Sequence, residues 1–102
     1  MQINNNVKFV CDKIVSKFSP DKIILFSSKV NCSGETNSFK ICIIKETKNK
    51  DELEKQIYLE IESEIQFDIL IYTPNEWEKH STNKHSFAYS ISKKGTLIYG
   101  EI

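Results

Sequence analysis

The chain has 102 residues, with 14 basic and 14 acidic side chains and a formal net charge of zero. That length suits one domain with a modest core, and the balanced charge excludes a field strong enough to draw the whole chain to nucleic acid or a membrane surface. All 14 cations are lysine, so the planar, bidentate clamp that arginine offers to phosphate or carboxylate is missing.

No segment reaches the run of about 18 apolar residues that a membrane span needs. The opening MQINNNVKFVCDKIV has no signal-peptide core, so a cytoplasmic protein without membrane contact is expected. Cys11, Cys32 and Cys42, spaced 21 and 10 residues apart, match no zinc motif and cannot all pair within one chain. They read as buried or idle thiols. His80 and His85 are five residues apart, a spacing that does not stack them on one helix face for a metal.

In chain order, Val7, Val10, Cys11, Ile14 and Phe18 predict an amphipathic helix over 3–18. It ends at Ser19-Pro20, because proline biases the preceding residue away from helix. Residues 21–26 (DKIILF) read as a strand apolar enough for the sheet interior, and 27–37 as a small, polar loop. Residues 38–45 (SFKICIIK) form the next strand, apolar on both faces towards its end. Asn49 followed by Glu52 is a helix start, and Leu53, Ile57, Ile61 and Ile65 lay one apolar stripe behind it. Residues 67–72 (FDILIY) make a third strand. Thr73-Pro74-Asn75-Glu76 has the pattern of a capping box with proline at the first helical position. A last helix over 84–94 ends at Gly95, and 96–99 (TLIY) close as a fourth strand. The fold class is therefore α+β in the order α-β-β-α-β-α-α-β, one mixed four-stranded sheet packed with about four helices. Trp77, Phe87, Tyr89 and Tyr99 are expected to pack between helices and sheet, with Trp77 placed for partial exposure on a partner surface.

The KIILF strand, the serine turn, a second strand, FDILIYTPNEWEK and the closing SFAYSISKKGTLIYG together resemble a minimal nucleotidyltransferase (MNT-like) domain of the DNA polymerase beta superfamily. The resemblance spans residues 7–100. Its pattern is a strand, Gly-Ser, a loop, Asp-x-Asp on the next strand and a third Asp on the following one. The acids hold two Mg²⁺ ions that bind a nucleoside triphosphate and activate a hydroxyl, while the turn lets backbone amides approach the phosphates.

Carried onto this chain, the resemblance puts Ser27, Ser28 and Lys29 at the phosphate-binding turn, with Ser28 in the serine role and Ser27 where glycine stands. The paired aspartates fall at Ser38 and Lys40, or at Phe39 and Ile41 in a register one residue away. Strand alternation favours the first, since it sends Phe39 and Ile41 together to the core. Neither position is acidic, and Asp68 matches the third aspartate alone. An ammonium about 4 Å from a divalent ion repels it by about 8 kcal/mol at an effective dielectric near 20, more than one carboxylate offsets. The catalytic set is not intact. Two readings of Lys40 stay open: a solvated strand-end lysine, or an ammonium that fills the vacated metal position and pairs with Asp68.

The resemblance then implies a catalytically inactive domain acting by protein binding or dimerisation, for example as the antitoxin-like partner of a helical nuclease toxin. One alternative is an active Mg²⁺-dependent transferase, moving a nucleoside monophosphate from a triphosphate such as ATP to a protein or small-molecule hydroxyl with help from an acid such as Glu35. The other is a metal-independent nucleotide sensor. Mg²⁺ and ATP enter as cofactors only if the family activity survives, and Asp68 is then the one metal ligand.

Overall fold

A computed structural model describes residues 4–101. Its elements run α1 (Asn5–Phe18), β1 (Lys22–Val30), β2 (Thr36–Ile44), α2 (Lys50–Glu60), β3 (Gln66–Tyr72), α3 (Pro74–Ser81), α4 (Phe87–Lys94) and β4 (Thr96–Tyr99). The order and the four-stranded mixed sheet agree with the sequence expectation. In the sheet the strands lie β3-β2-β1-β4, with β1 antiparallel to both β2 and β4 and β2 parallel to β3. Residue 3, the expected start of the first helix, lies outside the described residues; the Asn4 side chain caps α1 by accepting from Asn6 N–H.

The helix ends follow local chemistry. Ser19 closes α1 in the left-handed region (φ 50°) ahead of Pro20. Asn49 caps α2 by accepting from Glu52 N–H at 3.1 Å, and α2 stops at Glu60, so Ile65 packs from the following loop rather than from the helix stripe. Thr73 and Glu76 form the reciprocal capping box at α3. The Glu76 carboxylate also accepts from Lys50 Nζ at 3.0 and 3.1 Å, tying the start of α2 to the start of α3. The Thr73 N–H and the Lys50 ammonium together hold the Glu76 carboxyl below its ordinary pKa.

Two cores form because the strands alternate. Ile23, Leu25, Phe39, Ile41, Ile43, Phe67, Ile69 and Ile71 point to one face, where Val7, Val10, Cys11 and Ile14 of α1 and Ile57 of α2 cover them. Ile24, Cys42 and Ile44 point to the other face and meet Ile91 of α4, with Phe26, Leu70, Tyr72, Trp77 and Leu97 around them. Each fully buried isoleucine contributes about 1.5–3 kcal/mol relative to an exposed one, so the larger cluster dominates the stability. Trp77 is half-buried against Tyr72 (ring centroids 5.7 Å apart), whereas Phe87 is largely exposed with one edge on Phe26.

The expected loop over 27–37 is corrected. Residues 27–30 continue β1 and 36–38 begin β2, so the segment is a long β-hairpin whose turn is only 31–35. Asn31 closes that turn: its side-chain oxygen accepts from the N–H groups of Ser33 and Glu35, and Gly34 supplies a positive φ of 82°. The last helix is also shorter than expected, because Ser86 caps it by accepting from Tyr89 N–H.

Two expectations follow for the folded chain. Gly95 has an ordinary φ of −74°, so its need is space: a Cβ there would lie 2.5 Å from Ile24 Cγ2 and 2.6 Å from the Ile91 carbonyl. Gly95→Ala should therefore cost about 1–3 kcal/mol in urea denaturation, the usual cost of overpacking. Burial pushes the thiols of Cys11 and Cys42 up to about 12, with Asp12 adding to the effect at Cys11. A thiol reagent at neutral pH should label Cys32 alone, which is exposed, and label all three cysteines only after denaturation.

Candidate functional site

The face carrying Ile24, Cys42 and Ile44 is covered over only part of its area. Short helices α3 and α4, eight residues each, pack against the carboxyl end of β3 and the first half of β1 respectively, so that Ile91 closes over Ile24, Cys42 and Ile44. The amino-terminal ends of β2 and β3, and the hairpin half of β1, stay open to solvent. All but Ser28 of the polar strand residues singled out in the sequence collect on this open half.

Register places them. Lys40 of β2 is the partner of Asp68 across the parallel ladder, and Ser38 is the partner of Gln66. Adjacent partners in a ladder point to the same side, and Lys40 and Asp68 alternate with Cys42 and Leu70, which belong to the second core. The two side chains therefore rise from neighbouring strands on one face, both exposed. They form no ion pair: among the described residues the pairs are Lys8–Asp12 and Lys50–Glu76.

On the other side of Lys40, β1 carries a bulge. Leu25 is the partner of Ile41 and Ser27 is the partner of Lys40, so Phe26 is the extra residue. The bulge puts Phe26 and Ser27 on the same face, and Lys29, the partner of Ser38, joins them. Ser28 instead opposes Phe39, which belongs to the first core on the other face. The residues assembled are thus Ser27, Lys29, Ser38, Lys40 and Asp68, while Ser28, to which the resemblance gives the serine role, stands across the sheet from them. The bulge was invisible in the sequence because it depends on how β1 meets β2, a strand that follows a turn. Among the described residues no strand lies beside the outer edge of β1 beyond Leu25, since β4 pairs with residues 23–25.

The charge of the cluster is two ammonium groups, one carboxylate and two hydroxyls, which favours an anion over a divalent cation. Among the described residues no three His, Cys, Asp or Glu side chains come together as a metal-binding group. Glu35 sits in the hairpin turn, exposed, where its backbone carbonyl accepts from Asn31 N–H at 2.8 Å. His80 lies tilted beside Tyr72, with ring centroids 6.5 Å apart, and His85 is exposed in the loop between α3 and α4. The sequence reading also missed Tyr58. Its hydroxyl accepts from Ile69 N–H at 3.0 Å and so covers part of the outer edge of β3; the only signal was a tyrosine one position off the apolar stripe of α2. No helix among the described residues is long and apolar enough to cross a membrane. No family model, no curated protein and no solved structure matches the chain.

Proposed function

We propose that the chain is a nucleotidyltransferase-like domain that has lost metal-dependent transfer and acts by binding a protein, in the manner of an antitoxin facing a helical toxin. The observation that supports this reading is the pairing of Lys40 with Asp68 across adjacent parallel strands. The positions at which the resemblance expects three clustered carboxylates share one face, and they hold a serine, an ammonium and one carboxylate. The side chain at the centre of that trio repels the ions the chemistry needs. What remains is a strand scaffold whose three positions share one face and carry no net charge between them, one ammonium against one carboxylate.

A second reading is favoured by Lys29 and Lys40 sharing the open face with Ser27 and Ser38. Two ammonium groups and two hydroxyls suit a phosphate without metal, which is the chemistry of a nucleotide sensor.

Incubation with labelled ATP, Mg²⁺ and a hydroxyl acceptor should give no incorporation. Robust transfer that disappears in Asp68→Ala would overturn the reading. Calorimetry with ATP in the absence of metal separates the second reading: binding that is lost in Lys29→Ala and in Lys40→Ala supports the sensor, and no heat in the wild type removes it.

The lost metal site is itself testable. Ser38→Asp combined with Lys40→Asp would set three carboxylates on one face with Asp68. The double variant should gain a Mg²⁺- or Mn²⁺-dependent rise in melting temperature that the wild type lacks. A wild type stabilised by Mg²⁺ as strongly as the double variant would contradict the assignment of these positions.

A further inference from the structure

β3 is one edge of the sheet, since the strands lie β3-β2-β1-β4. Along a strand, the N–H and C=O of one residue point to one side and those of the next residue to the other. Two hydrogen bonds fix which residues of β3 point which way. The Tyr72 carbonyl accepts from Lys45 N–H at 3.0 Å, at the end of β2, so Tyr72, Leu70 and Asp68 turn their backbone groups towards β2. The Ile69 N–H donates to the Tyr58 hydroxyl at 3.0 Å, away from β2, so Phe67, Ile69 and Ile71 turn theirs outwards. Among the described residues, the Tyr58 hydroxyl is the one hydrogen-bond partner of this outward row.

The edge has the regularity that strand pairing needs. Its register against β2 runs unbroken from Ser38–Gln66 to Ile44–Tyr72, and its sequence, QFDILIY, contains neither proline nor lysine. Bulges, prolines and lysines are the devices that keep open edges from pairing. The other open edge, β1 beyond Leu25, has two register shifts and Lys29.

Beside the β3 edge lies a cleft of about 190 Å³, bordered by Ile69, Leu70 and Ile71 on one side and by Lys50, Asp51 and Glu54 of α2 on the other. Lys50 is already held by Glu76 at 3.0 Å. The carboxylates of Asp51 and Glu54 join no ion pair among the described residues. Tyr58, 40% exposed, reaches the edge from the same helix, its ring centroid 5.4 Å from that of Phe67. Its hydroxyl oxygen accepts from Ile69 N–H, as the carbonyl of an added strand would.

Unpaired backbone groups along a regular edge are satisfied by one kind of occupant, an extended segment. We infer that β3 accepts an extended segment of a partner protein as a further strand, with a lysine or arginine of that segment beside Asp51 and Glu54. A second copy pairing β3 to β3 supplies no such cation, because Asp68 is the strand's one charged residue. The Tyr58 hydroxyl gives way to the incoming carbonyl. The inference is independent of the lost-transfer reading: it needs only the β3 edge and α2, and its failure would leave the ATP and Mg²⁺ results untouched.

The test is amide hydrogen exchange and chemical-shift titration by NMR, with a capped peptide of alternating valine and lysine that matches the length of β3. In the free chain, the Phe67 and Ile71 N–H groups should exchange faster than those of Asp68 and Leu70, which bond to β2. The peptide should shift both outward resonances and slow their exchange about tenfold or more. Of two peptides N-methylated on alternate sets of residues, one should lose binding and the other keep it, since an added strand turns only one edge to β3. Tyr58→Phe should tighten binding about two- to tenfold, the effect of one freed hydrogen bond. On the wild type, the same peptide with glutamate for lysine should bind about tenfold more weakly, and Asp51→Lys with Glu54→Lys should reverse that order. Phe67 and Ile71 N–H groups as protected in the free chain as those of Asp68 and Leu70 overturn the inference, because the edge is then covered already. So does the absence of any shift at either residue at millimolar peptide, equal binding of the two N-methylated forms, or a glutamate peptide bound as tightly as the lysine one. Self-association that protects the same two N–H groups would put a second copy on the edge and count against a partner segment.

Discussion

The parallel ladder between β2 and β3 decides the chemistry of this molecule. Side chains in adjacent parallel strands share a face at each matched position, so the pairing of Phe39 with Phe67 and of Lys40 with Asp68 sorts the two strands into an apolar side and a mixed side. Phe39 and Phe67 stack at 5.6 Å beneath α1 and α2. A slip of one residue would bury Lys40 in that layer, at a desolvation cost that a partner nearby could not repay. The hydrophobic layer therefore holds the register, and the register displays the charge.

From that register the unequal cover of the sheet follows. α1, with 14 residues, and the apolar end of α2 close one face. On the other, α3 and α4 have eight residues each, about 12 Å of helix, and cannot reach the amino-terminal half of β2 and β3. The hairpin lengthens β1 and β2 past the helices without adding a layer to cover them. Polar residues survive on that half because burial never demanded otherwise: Ser38, Lys40 and Asp68 face water, while Cys42, Ile44 and Leu70 on the same strands pack against the helices.

The two sides of the sheet offer different kinds of recognition. The open half-face presents short hydroxyls and lysines on rigid strands, suited to a small anion or to a protein surface that supplies one. The groove between α1 and the end of α2 presents the exposed Phe9 and Leu59 among side chains of both charges. Lys50 and Glu76 brace the junction between α2 and α3, and exposed pairs of this type contribute little to stability, so the brace matters for placing the helix starts more than for holding the fold.

Much of this was legible in the sequence, for local reasons. The period of Val7, Val10, Cys11 and Ile14, the proline at position 20, the Asn49 cap and the Thr73–Glu76 box depend on neighbours a few residues away, and each lies where the pattern requires. The alternation that sends Phe39 and Ile41 to the core also assigned Ser38 and Lys40 to the outer side. Three features depended on tertiary structure. Residues 27–30 look like loop because serine and lysine are weak strand formers, yet pairing with 36–40 makes them strand. The bulge at Phe26 exchanges Ser28 for Ser27 beside Lys40, because β1 spends one extra residue between its Leu25–Ile41 and Ser27–Lys40 partners on β2. Phe9 and Leu59 border one groove only because α1 lies against the end of α2. Sequence alone determined the elements, their caps and the charge of the candidate positions, since these are properties of single residues and short spacings. Which side chains face one another was decided by the tertiary structure, since contact across strands depends on register, and register is set by burial over the whole sheet.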